Sequence, residues 1–286
     1  MGNSIIQTSF GNFKVQIDND VSFDIMERTQ NIIGKKISIG GKNNCIFITI
    51  PNNKNTGFLH QLNTKHGGCE INNIPIRREK TVGMLNIVFT IIKERFPYIK
   101  YIQLDDMSDF ECNLESGKVT SISLALYEIM FHQKTYYERH FNAYLVDKTL
   151  RQKYNDSKNN FLKAKPESFH FNNESLTMLL ADDYVQTNNW KSFFEKLYEY
   201  NNKCILIAPW YKHTLLTIMD NISYERQSWE IDLSNTLIQN IPYTIIQQNA
   251  GGKNTRKLIQ KQKNKMEEAL YEDLYVYKYT QNMLHE

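Results

Sequence analysis

The hydrophobic pattern changes character along the chain. In residues 4–50 the apolar side chains come in short runs, Ser4–Phe10, Phe13–Ile17 and Cys45–Ile50. Runs of this length between polar turn residues predict strands. Gly40-Gly41-Lys42-Asn43-Asn44 marks a turn before the third run, and Pro51–Gly57 reads as a loop. From Glu70 to Asp106 the pattern predicts a strand (Ile71–Ile76), a basic turn (Arg77–Gly83), a helix (Met84–Phe96) and a second strand (Tyr98–Leu104). Met84, Leu85, Val88, Phe89, Ile91, Ile92 and Phe96 share one face of that helix, as a period of 3.6 requires. From Val119 the apolar spacing mixes three and four. It predicts helices over Val119–His132, Tyr136–Tyr154, Ser175–Tyr184 and Trp190–Asn201, with N-cap signals in Asn173-Glu174-Ser175 and Thr187-Asn188-Asn189. Cys204–Pro209 reads as a short strand, Tyr211–Ile222 as a helix, and Thr255–Met283 as a long charged helix after Ala250-Gly251-Gly252.

Strands followed by helices make this an α+β chain. Its 286 residues are 41% apolar, enough for a sizeable core, and the formal net charge of +3 alone does not imply nucleic-acid binding. No apolar run approaches the roughly 20 residues that span a bilayer. Met1-Gly2-Asn3-Ser4-Ile5-Ile6 resembles a myristoylation signal at Gly2, with Ile6 where Ser or Thr is preferred; the alternative is an ordinary start entering the first strand. Cys45, Cys69, Cys112 and Cys204 are far apart and form no C-x-x-C pair. They predict free buried thiols in a reducing compartment, hence an intracellular protein that is not secreted.

The basic turn is the sharpest chemical signal. A helix start offers unpaired N–H groups and a positive dipole end, so Arg78 and Lys80 with the amides of Thr81, Val82 and Gly83 could bind phosphate oxygens. The alternative is a solvated loop that merely caps the helix. Asp105, Asp106 and Glu111 follow the second strand at its carboxyl end, where open α/β sheets place their sites. Glu70 precedes the first.

Arg78-Glu79-Lys80-Thr81-Val82-Gly83 resembles the pyrophosphate loop of the GNAT superfamily of acyl-CoA-dependent N-acyltransferases, Arg/Gln-x-x-Gly-x-Gly/Ala. Thr81 stands at the middle glycine. Leu126-Tyr127-Glu128-Ile129-Met130-Phe131-His132 is similar to a later segment of that family, Leu-Tyr-Glu-x-x-Gly-Phe, with Phe131 at the glycine. Order and spacing agree over about residues 45–140. The resemblance implies a mixed, mainly antiparallel sheet with a strand–loop–helix–strand core in residues 1–145. A mainly helical region, 146–250, would pack on or complete that core, and a basic-to-acidic helix, 251–286, would follow. It also implies acetyl-CoA as cofactor, held by Arg78, Lys80, Thr81, Val82 and Gly83, and a primary amine or protein lysine as acceptor. Tyr127 would be the general acid, with Tyr136 and Tyr137 as neighbours that could substitute. Asp105 or Asp106 would be the base. The sheet would be completed by distant strands such as Cys204–Pro209 and Ile241–Gln247, or the core would carry a large helical addition; a core without activity is the other outcome. Lys134–Ala143 and Gly251–Lys257 also resemble segments of proteins from large DNA viruses, which would place the chain in host cytoplasm or a virion.

Other chemistry is weaker. His66-Gly67-Gly68-Cys69 could present a cysteine nucleophile, but a turn explains the glycines more simply. His60, His66, Cys69 and Cys112 lack any metal-ligand spacing. Lys253, Arg256, Lys257, Lys261 and Lys265 fall mainly on one stripe of the last helix. They could neutralise nucleic acid or an acidic partner, or form a solvated face. A non-enzymatic viral structural or interaction protein, docking through its helical half and residues 253–265, is therefore the competing reading.

Overall fold

The computed structural model describes residues 3–25, 28–62, 69, 78–113, 119–167, 169, 171, 174–224 and 226–246. Five strands come first, each antiparallel to the next: β1 (Asn3–Thr8), β2 (Gly11–Ile25), β3 (Arg28–Gly40), β4 (Asn44–Pro51) and β5 (Thr56–Leu62). Helix α1 (Arg78–Arg95) then leads to β6 (Tyr101–Asp105), which lies parallel to β5. A separate hairpin, β7 (Asp109–Asn113) and β8 (Val119–Ser123), precedes α2 (Leu124–His132), α3 (Tyr136–Phe141) and β9 (Tyr144–Leu145). The helices α4 (Lys148–Lys158), α5 (Glu174–Gln186), α6 (Trp190–Tyr198), α7 (Lys203–Ile207) and α8 (Tyr211–Ile218) follow. The chain returns as β10 (Ser228–Asp232), antiparallel to both β6 and β9, and ends its described part in β11 (Thr244–Ile246). The large sheet runs β11-β1-β2-β3-β4-β5-β6-β10-β9. The protein is α+β, with a large, mainly antiparallel sheet and eight helices among the described residues.

Strand alternation supplies the core. Phe13 and Val15 of β2, Ile37 and Ile39 of β3, Ile48 and Ile50 of β4, Ile102 and Leu104 of β6, and Trp229 and Ile231 of β10 are all buried. Helix α1 is buried more completely than an amphipathic stripe would be, since every residue from Gly83 to Ile92 is inside. The segment after β10 runs along it. The backbone N–H of Gln239 donates to Asn86 Oδ1 (3.1 Å) and that of Ile241 to Thr90 Oγ1 (3.0 Å). These bonds give partners to Asn86 and Thr90, two of the three polar side chains that α1 buries. A second aromatic cluster, Phe171, Tyr184, Trp190, Phe193, Phe194 and Trp210, holds α5, α6 and the start of α8 together.

Several elements differ from the pattern-based expectation. Residues 119–123 are strand β8, and α2 begins only after Ser123, whose hydroxyl accepts from the N–H of Leu126. The expected helix Tyr136–Tyr154 is broken into α3, β9 and α4. Asn142 ends α3 in the left-handed region (φ 51°), and the Asp147 carboxylate caps α4. Cys204–Ile207 lies in helix α7, not a strand; the distant strands that join the large sheet are Ser228–Asp232 and, within the expected Ile241–Gln247, Thr244–Ile246. The expected strand Ile71–Ile76 and helix Thr255–Met283 lie outside the described residues.

The cysteines overturn the expectation of free thiols. Cys45 is bonded to Cys69 and Cys112 to Cys204. Positions 24 and 92 residues apart in sequence are brought to Cα separations of 5.4 and 6.0 Å, which sequence spacing cannot reveal. Met1–Ile245 forms one compact unit and Ile246–Glu286 a second, described only at Ile246. Among the described residues no helix is long and apolar enough to cross a membrane.

Candidate functional site at the carboxyl ends of β5 and β6

The only parallel pair in the registers described for the large sheet is β5 with β6. Its register runs from Thr56↔Tyr101 to Leu59↔Leu104 and stops there. Beyond Leu59 the strand stays with β4 but bulges. Ile48 faces Leu59 and Phe47 faces Gln61, so His60 is the extra residue. A bulge bends its strand and re-aims its side chains. The β5–β6 ladder therefore splits at this end because β6 finishes at Asp105 while β5 runs on to Leu62. Only residues 96–100 separate α1 from β6, so the C-terminus of α1 sits near the start of β6. The 18-residue helix is about 27 Å long against about 17 Å for the five-residue strand. Its first turns pack against Phe10, in the turn between β1 and β2.

The N-terminus of α1 is not where the pattern put it. The six residues Arg78–Gly83 form the first turn and a half of α1, not a turn before it. The free N–H groups of such a helix belong to Arg78, Glu79 and Lys80, whereas those of Val82 and Gly83 lie inside the hydrogen-bonded ladder. Thr81 is 6% exposed, and a Cβ on Gly83 would meet the Phe10 ring at 2.6 Å. Thr81 and Gly83 are thus packing positions, and the glycine is required by Phe10. Of residues 78–80 only the backbone is described.

At the split, His60 Nε2 lies 2.8 Å from Thr49 Oγ1 and its ring stacks on Phe47, with centroids 5.0 Å apart. Burial holds the imidazole below its ordinary pKa, against the opposing pull of the nearby Asp105 carboxylate. Asp105 also accepts a 2.6 Å bond from Ser228 Oγ of β10. Asp106 faces other neighbours. It is 3% exposed, and one carboxylate oxygen accepts from the Ser108 hydroxyl and N–H while Oδ2 is buried without a partner. Burial raises its pKa, and it in turn helps burial push the Tyr137 phenol of α3 well above its usual value.

The structure therefore separates the two adjacent acids: Asp105 lies near His60 at the split, and Asp106 is buried beside Ser108, close enough to Tyr137 of α3 to act on its phenol. Tyr127 is buried in α2, edge-on to Phe131 at 4.7 Å. Its neighbour Glu128, 1% exposed, meets Arg139 of α3 at 3.0 Å. Glu111 is exposed on β7. Cys69 is tied up in its disulfide and cannot act as a nucleophile. Glu70, His66, Gly67, Gly68 and the basic stripe Lys253, Arg256, Lys257, Lys261 and Lys265 lie outside the described residues. In the sequence His60 stands only as one of four candidate metal ligands, and nothing there marks it as a base beside Asp105. A lone histidine ending an apolar run carries no pattern, and its partner Asp105 is 45 positions away.

Below the end of β6 lies a polar cleft of about 500 Å³ lined by Asp106, Ser108, Asp109, Ser121, Ser123, Tyr211, Lys212 and Arg226, among others. Compared with protein-family models, curated proteins and solved structures, the chain matches none.

Proposed function

We propose that the chain is a GNAT-like, acyl-CoA-dependent N-acyltransferase that acts on a primary amine. One observation carries the reading: the parallel pair β5–β6, joined through α1, loses its pairing at Leu59 and Leu104 while β5 bulges at His60. The inner edge of residues 60–62 is left without a strand partner in β6, so an extended pantetheine arm could add there as a short strand. The N-terminus of α1, carrying Arg78 and Lys80, would take the cofactor's pyrophosphate through the N–H groups of residues 78–80. The insertion of β10 between β6 and β9 supports the same reading, because it supplies a distant strand beside the split.

In this reading His60 is the general base, a role a neutral imidazole can fill at neutral pH. It takes the proton from the attacking ammonium while Asp105 stabilises the imidazolium that forms. The amine nitrogen bonds to the thioester carbonyl carbon, the C–S bond breaks, and the thiolate leaves with a proton from a tyrosine. Tyr127 holds that position by resemblance, with Tyr136 and Tyr137 nearby in the helical layer.

Isothermal titration of the full chain with acetyl-CoA tests the binding step, and thiol release with a polyamine or lysine acceptor tests turnover. Arg78→Ala is expected to weaken acetyl-CoA binding at least tenfold. His60→Ala is expected to lower turnover with little change in that binding. No heat of binding with millimolar acetyl-CoA would sink the proposal.

A further inference from the structure

The cleft below β6 has a chemical character of its own. Its position is set by β7–β8 on one side and α8 on the other, and the Cys112–Cys204 disulfide joins these two walls through α7. Two helix N-termini end in it. Ser123 is the N-cap of α2, and Tyr211 and Lys212 are the first two residues of α8. The walls are themselves linked, since the Ser123 N–H donates to the Tyr211 hydroxyl at 3.4 Å. The start of α2 already spends the N–H groups of Ser123, Leu124 and Leu126 on Tyr211, Ser108 and Ser123, so the uncapped start of α8 is the positive dipole end open to this space. Lys212 adds an ammonium group, and Arg226, exposed and fixed in a left-handed turn (φ 58°), adds a guanidinium. The Arg226 N–H also donates to the Asp106 carbonyl, which fixes the arginine backbone against the cleft floor.

Two acids share the lining, and each is already engaged by a serine: Ser108 donates to Asp106 and Ser121 to Asp109. Asp106 keeps its other oxygen, Oδ2, buried and unpartnered among the described residues. A buried acceptor in that state costs about 1–3 kcal/mol until a donor reaches it. The cleft thus combines a positive end, suited to an anion with several acceptor oxygens, and a buried acceptor that lacks a donor. Its volume lies within the range of small-molecule sites, about 300–1,000 Å³, and exceeds what a bare phosphate fills. Most such sites are apolar, whereas here Met107 is the one apolar residue of the lining.

We infer that this cleft is a binding site for a small phosphorylated, hydroxyl-bearing molecule, separate from the split between β5 and β6. The phosphate lies against Lys212, Arg226 and the start of α8, and a hydroxyl of the body donates to Asp106. The site rests on the cleft alone and does not require the acyltransferase reading.

Calorimetric titration of the full chain with ribose 5-phosphate, ribose and inorganic pyrophosphate tests it. Ribose 5-phosphate is expected to bind saturably and ribose not at all. Arg226→Ala and Lys212→Ala should each weaken ribose 5-phosphate and pyrophosphate at least tenfold. Asp106→Asn should weaken ribose 5-phosphate several-fold and leave pyrophosphate unchanged. Circular dichroism on each variant separates loss of the site from loss of the fold. No saturable binding up to about 10 mM, or equal binding by wild type and Arg226→Ala, overturns the assignment. Coenzyme A that displaces ribose 5-phosphate and depends on Arg226 but not on Arg78 overturns the claim of a separate site.

Discussion

The ion pair between Glu128 and Arg139 gives the most direct test of how α2 is held. Glu128 is the acid of the Leu126-Tyr127-Glu128 segment, and its side chain is 1% exposed while that of Arg139 is 33% exposed. Glu128 Oε2 lies 3.0 Å from Arg139 Nη2 and 3.9 Å from His132 Nε2. The Arg139 contact is one of charge rather than an aligned hydrogen bond, because Oε2 meets no donor in hydrogen-bonding geometry. The two ends of the pair are unequal. Arg139→Leu removes the charge partner of a buried carboxylate, a loss of about 3–5 kcal/mol when both partners are buried. With Arg139 a third exposed and His132 close by, about 2–4 kcal/mol is expected. Glu128→Leu leaves a guanidinium that can reach water, and about 1–2 kcal/mol is expected. The double variant replaces both charges by apolar side chains, a change that is often neutral, so it should be more stable than Arg139→Leu alone. At about 2–4 °C per kcal/mol for a unit of this size, Arg139→Leu should lower Tm by roughly 5–15 °C. Urea and thermal melts followed by circular dichroism read all four proteins. A loss under about 0.5 kcal/mol for Arg139→Leu, or strict additivity in the double variant, would refute the reasoning.

Other outcomes follow from the same geometry. Burial raises the folded-state pKa of Asp106 above 3.8, so wild-type stability falls as pH rises from that value through the raised one; Asp106→Asn should match wild type at low pH and exceed it at neutral pH in urea melts. Gly83→Ala would gain about 1 kcal/mol in an ordinary helix, but here its Cβ meets Phe10 at 2.6 Å; it should destabilise in wild type and stabilise in a Phe10→Ala background, a reversal that a double-mutant cycle detects. Phe193→Ala, at 0% exposure among five aromatic neighbours, should cost about 3–5 kcal/mol in the same melts. Reduction by dithiothreitol should lower Tm, and Cys112→Ser should reproduce more of the loss than Cys45→Ser, because a closed loop of 92 positions restricts the unfolded chain more than one of 24.

Local pattern carried much of the fold. The strands near residues 4–8, 13–17, 45–50 and 101–104 and the body of α1 follow from apolar runs and periodicity that any tertiary setting would respect. The cap at Asn189, which accepts from the Ser192 N–H at 2.9 Å, follows from the same local chemistry. Other elements were hidden because their signals are not local. β5 mixes Thr, Gly, His and Gln with its apolar residues, and only pairing between β4 and β6 makes it a strand. β10 is five residues long and finds its place from across the helical half of the chain. Cys204–Ile207 is apolar enough for a strand, yet its neighbours pack it as a helix.

The sequence by itself determined that this is an α+β chain with a helix of high apolar content after a basic stretch, and that two acids follow the strand beyond it. Which of those acids meets which partner was a tertiary decision. Asp105 and Asp106 are adjacent in the chain, but one lies near His60 at a split between strands and the other is buried beside Ser108. The start of α1, the fate of Gly83 under Phe10, and the two disulfides were decided in the same way. A side chain's chemistry is written in its type, but its pKa, its partners and its access to water depend on groups that only folding brings within a few ångströms.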